Sequence, residues 1–163
     1  MKRGIIFLVV LAIIRAVSPA LAEPDYKSLV EDINIFADIY RAPRFEVDSA
    51  VDESDGDGWL LRMPSTDPCI DLILTSKNGE SIASLLCVCA DESHMLDYLA
   101  SCCAVISEYG KSLGITDSFG YLLHNYMMSR AEEDPIPLIA KDGTICMLSK
   151  KDGLYILTII PPS

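Results

Sequence analysis

The sequence predicts an α+β domain: an antiparallel sheet of about six to seven strands with an N-terminal helix and a central helix pair packed on it. Three observations predict it. Apolar residues recur at helical spacing over 25–40 and again over 93–130. Short apolar runs are punctuated by Asn78-Gly79, Asp142-Gly143 and Asp152-Gly153, the dipeptides that favour tight hairpin turns. The helical and strand-like stretches are also segregated along the chain, which favours antiparallel pairing over a crossover-linked parallel sheet.

Residues 1–22 read as a cleaved signal peptide ahead of a single domain over 23–163. Lys2 and Arg3 precede an apolar stretch from Gly4 to Ile14, and Ala20-Leu21-Ala22 offers small residues to a peptidase. The apolar run is shorter than the ~20 residues that span a bilayer. An exported protein, periplasmic or extracellular, with no membrane attachment after cleavage, is therefore expected. The full chain carries 13 Lys+Arg and 24 Asp+Glu, a net charge of −11. Removing Lys2, Arg3 and Arg15 leaves 13 − 3 = 10 cations and a charge of 10 − 24 = −14. So acidic a surface disfavours nucleic acid and anionic lipid and suits a basic protein partner.

Asp25 to Tyr40 forms the first predicted helix. Tyr26, Leu29, Val30, Ile33, Phe36, Ala37 and Tyr40 make its apolar stripe, with Asn34 and Asp38 off it, and Pro43 beyond its end. Strand character begins at Phe45 and resumes over Trp59 to Met63, with Pro64 to Pro68 as a break. Cys69 to Thr75 and Ser81 to Cys89 flank Asn78-Gly79. A two-residue turn there would pair Lys77 with Glu80, Leu74 with Ala83 and Leu72 with Leu85. One core face then holds Ile70, Leu72, Leu74, Ala83, Leu85, Cys87 and Cys89, and Cys69 points to the other side. Ser93 to Tyr109 and Asp117 to Arg130 are the central helices. Pro137 to Lys141, Thr144 to Lys150 and Leu154 to Ile160 form a closing meander.

Six cysteines, Cys69, Cys87, Cys89, Cys102, Cys103 and Cys146, follow the signal segment. Export permits disulfides. A helix returning over the sheet brings Cys102 and Cys103 roughly 14 Å back along its axis, towards Cys87. A bridge from Cys87 or Cys89 to Cys102 or Cys103 is the expected staple, against the alternative of reduced, buried thiols. Cys87, Cys89, His94 and Cys102 are equally a candidate set of metal ligands, since zinc takes thiolate and imidazole donors. Neighbouring Cys103 diverges from Cys102 around the helix. Glu53, Asp55, Asp57 and Gly58 match the opening of a calcium loop, but Pro64 stands where its last carboxylate belongs. Asp55 and Asp57 remain candidates for a weak Ca²⁺ site only.

No nucleophile elbow, phosphate loop, cofactor motif or His-Glu-x-x-His is present, and His94 and His124 are the only histidines. The favoured expectation is a non-enzymatic, exported, acidic interaction module, of the inhibitor or immunity kind. The alternative is a thiol- or metal-dependent site built on Cys87, Cys89, His94, Cys102 and Cys103.

Overall fold

The computed structural model describes residues 26–54, 59–76, 82–110, 137–139 and 143–162. The signal segment, Asp55 and Asp57, and the second central helix expected over 117–130 lie outside these residues.

Helix α1 spans Tyr26–Tyr40 and buries Leu29, Val30, Ile33, Asn34 and Ala37. The apolar stripe sets the buried face, but Asn34 belongs to that face too. Its side chain bonds the backbone of Phe45 twice: Nδ2 donates to the carbonyl at 2.9 Å, and Oδ1 accepts from the N–H at 2.8 Å. A buried amide that satisfies a strand end in this way locks the returning chain onto the helix. The helix stops at Arg41, which takes a left-handed φ of 56°. Ala42 N–H reaches back to Ala37 O at 2.8 Å, closing the last turn as a Schellman cap.

Seven antiparallel strands follow: β1 (Val51–Asp52), β2 (Trp59–Pro64), β3 (Ile70–Ser76), β4 (Ser84–Cys89), β5 (Leu138–Ile139), β6 (Ile145–Lys151) and β7 (Leu154–Ile160). Their order in the sheet is β1-β2-β3-β4-β7-β6-β5. Helix α2 (Met95–Gly110) leaves the end of β4 through a 3₁₀ turn, Glu92–His94. It packs on α1, and both contribute to one apolar cluster with Met63, Ile70, Leu72, Leu85, Cys87 and Leu157 of the sheet. The predicted α+β architecture is the observed one. Leu60, Ile73, Leu86, Val88, Leu154 and Ile156 form a separate buried cluster on the other face, to which neither helix contributes.

Two hairpin expectations need correction. Strands β3 and β4 pair Leu74 with Leu85, Leu72 with Cys87 and Ile70 with Cys89, two residues away from the register of a two-residue turn. The reason lies at the strand ends. The observed register sets Thr75 opposite Ser84, whose hydroxyls bond at 2.7 Å in the interior. The expected register would place Ser84 against Ile73 and strand both hydroxyls. Because side chains alternate with a period of two, the shift leaves the core face almost unchanged. Likewise Ile139 pairs with Ile145, a register that differs from the one a two-residue turn at Asp142-Gly143 produces; Asp142 itself lies outside the described residues. Asp152-Gly153 is one. Lys151 pairs with Leu154, and φ is 52° at Asp152 and 79° at Gly153, as a type I′ turn requires.

The expected disulfide is also corrected. All six cysteines are free thiols, and the closest pair is 4.3 Å apart, well beyond the ~2.05 Å of an S–S bond. Helix α2 does bring Cys102 back to the Cys87 thiol, the neighbour that helps to raise its pKa. The helix-to-sheet contact is therefore made by packed, unbridged thiols.

Candidate metal site

The chemistry-bearing cluster forms where two chain connections meet at one end of the central strands. The first is the β2–β3 connection, Ser65 to Cys69. Asp67 N–H donates to Ser65 Oγ at 3.1 Å, and Ser65 Oγ–H donates to Asp67 O at 2.9 Å. Asp67 Oδ1 accepts from Cys69 N–H at 2.9 Å, and Ile70 N–H donates to Asp67 O at 3.1 Å. An Asp before Pro68 initiates such a turn because its short carboxylate satisfies the backbone two residues on. Asp67 is thereby 9% exposed and held rigidly.

The second connection joins β4 to α2. Ala90 N–H donates to Cys69 O at 3.0 Å, which extends the β3–β4 pairing to the site itself. Asp91 then starts the 3₁₀ turn, its Oδ1 accepting from Ser93 N–H at 2.9 Å and from Ser93 Oγ–H at 2.8 Å. That turn directs His94 back onto the first connection. His94 Nδ1 lies 2.6 Å from Asp67 Oδ2.

One donor atom each from Asp67, Cys69 and His94 lies within 4.8 Å of the others. The set offers a carboxylate oxygen, a thiol sulfur and an imidazole nitrogen. Asp67 is buried, while Cys69 and His94 are partly exposed, so the cluster opens to solvent on one side. The hydrogen bond that the Asp67 carboxylate accepts raises the pKa of His94 above its usual 6.5; desolvation opposes it, and the charges of Asp67, Asp91 and Asp97 reinforce it.

The expected ligand set is therefore changed in membership. His94 is retained, and Cys87, Cys89 and Cys102 do not join it. Cys87 and Cys102 are buried in the helix–sheet core. Burial pushes the Cys102 thiol well above its ordinary range, with the neighbouring Cys87 thiol adding to the effect. Burial pushes Cys89 up to about 11, and its thiol donates to Asp91 O at 3.1 Å. Such thiols resist the ionisation that metal binding needs. Cys103 is half-buried on α2, its thiol likewise raised by burial. Asp55 and Asp57 lie outside the described residues. Asp67 and Cys69 both stand outside the donor sets expected from the sequence, and Asp67-Pro68-Cys69 is their local signal.

Comparison with protein-family models, curated proteins and solved structures yields no match for this chain. Among the described residues, no helix is long and apolar enough to cross a membrane.

Proposed function

We propose that this protein binds a zinc-class divalent metal ion through Asp67, Cys69 and His94. The observation that carries the reading is the convergence of three chemically different donors within 4.8 Å, from connections 27 residues apart in sequence. A mixed S, N and O donor set suits a borderline-soft ion such as Zn²⁺ better than Mg²⁺ or Ca²⁺, which take oxygen shells. Tetrahedral zinc with metal–donor distances of about 2.0–2.3 Å keeps its ligand atoms roughly 3.3–3.6 Å apart. Asp67 Oδ2 and His94 Nδ1 are closer than that because a proton lies between them. The ion replaces this proton and takes up the Cys69 thiolate, so loading releases protons. Three protein ligands leave one coordination position, on the solvent side, for water or an exogenous ligand.

The test is titration of the reduced full chain with Zn²⁺ and Co²⁺, followed by native mass spectrometry and absorbance. One ion per chain and a thiolate-to-cobalt charge-transfer band are expected. The band disappears in Cys69→Ser, and stoichiometric binding is lost in His94→Gln. A band that survives Cys69→Ser but is lost in Cys89→Ser would overturn the assignment of ligands, and no stoichiometric ion would overturn the reading itself.

A further inference from the structure

A second site of different chemistry lies at the far edge of the sheet. A cleft of about 410 Å³ opens between the start of α1, the 3₁₀ turn Val47–Ser49 and strands β1 and β2. That volume suits a small molecule. Trp59 and Tyr26 meet there with ring centroids 6.2 Å apart and planes inclined at 55°, forming two walls of an open corner. Leu61 adds apolar surface, and Asp48 and Asp52 bring two exposed carboxylates to the rim.

The charges on this rim are fixed by the sequence around it. Asp52 Oδ1 accepts from Ser54 N–H at 2.9 Å and from the Ser54 hydroxyl, and these bonds lower its pKa, so it is ionised at neutral pH. Arg62 on the adjoining strand is bound to Glu53 at 2.8 Å and Asp71 at 3.3 Å, which directs its charge away from Asp52. Among the described residues that line the cleft, Lys27 is the one cation.

Aromatic faces carry negative electrostatic potential and attract cations whose hydration is weak. Carboxylates around such faces repel anions and add a longer-range attraction, reinforced by a chain net charge of −11. A hydrated divalent metal finds no use for the ring walls, and among the described residues Asp48 and Asp52 are not part of a three-donor group. We infer that the cleft between α1 and the β1–β2 edge binds a small methylated ammonium ion, its methyl groups against Trp59 and Tyr26 and its charge opposite Asp48 and Asp52. The inference is independent of the metal site.

Trp59 is the only tryptophan in the sequence, so its fluorescence reports this cleft directly. The full chain is titrated with choline, tetramethylammonium and the neutral choline isostere 3,3-dimethylbutanol. A saturable change with both ammonium ions is expected, with about tenfold weaker binding of the neutral alcohol, the scale of a partly desolvated cation–π contact. The exposed variants Asp48→Asn and Asp52→Asn, which leave the core intact, each weaken ammonium binding. Lys27→Gln strengthens it by removing the resident positive charge. Cys69→Ser leaves it unchanged. Equal binding of the neutral isostere, indifference to both Asn variants, or no saturable change would overturn the inference.

Discussion

Asp67 divides its two carboxylate oxygens between structure and chemistry. Oδ1 closes the turn onto Cys69, and Oδ2 faces His94. Asp67→Asn separates these roles, because an amide oxygen still closes the turn while the negative charge is lost. In the metal-free protein, NMR titration is expected to give His94 a pKa above 6.5, falling back towards 6.5 in Asp67→Asn. The sign for stability follows. A histidine whose pKa is raised in the fold stabilises it below the unfolded-state pKa, and that contribution is lost as pH rises through the folded value. The wild-type advantage over Asp67→Asn should therefore be largest in mildly acidic solution, as read by denaturant midpoints. Metal loading runs the other way, since the proton competes with the ion. His94 was legible in the sequence as a candidate donor, whereas Cys69 stood there only as one of six cysteines. Their meeting with Asp67 was not legible, because it depends on Ala90 pairing with Cys69 and on a 3₁₀ turn ahead of α2.

Among the elements, α1 shows how far periodicity reaches. Its apolar spacing located the helix and its buried face, but a polar residue inside that face reads only as a break in the stripe. Asn34 is buried because Phe45 needs both backbone groups satisfied there. Asn34→Leu would keep the approximate volume and strand those groups, so a loss of about 2–4 kcal/mol is expected in equilibrium unfolding. The helix end offers a contrasting substitution. Arg41 holds a left-handed φ of 56° that an L side chain adopts at a cost. Arg41→Gly should stabilise the protein by about 1 kcal/mol, with the midpoint moving and the denaturant slope unchanged. The hairpins repeat this division of legibility. Asp152-Gly153 declared its turn because both positive φ angles are local. The β3–β4 register did not, because buried hydroxyls that meet across the sheet determine it.

Across the whole molecule, the buried cysteines act as core side chains, and those whose thiols burial raises give the fold a characteristic alkaline limit. Cys87, Cys89, Cys102 and Cys146 are each 0% exposed. Burial pushes Cys89 up to about 11 and Cys146 up to about 12, and holds Cys102 well above its ordinary range. In the unfolded chain the same thiols ionise near 9.0. Above that pH the unfolded state has released protons that the native state still holds, so stability falls as pH rises. The slope is about 1.4 kcal/mol per pH unit for each such thiol, until the folded value is reached. Denaturant unfolding under reducing conditions at pH 7, 9 and 10.5 should give nearly constant stability between the first two, then a steep decline. Cys146→Val removes one titrating group from the core and should make that decline shallower by about one thiol's share. The same burial governs reactivity. At pH 8 an alkylating reagent should label the partly exposed Cys69 and Cys103 in the native protein, and the other four only on unfolding. Zinc should then protect Cys69 and leave Cys103 reactive, which separates the thiol that takes the ion from the one that merely reaches solvent.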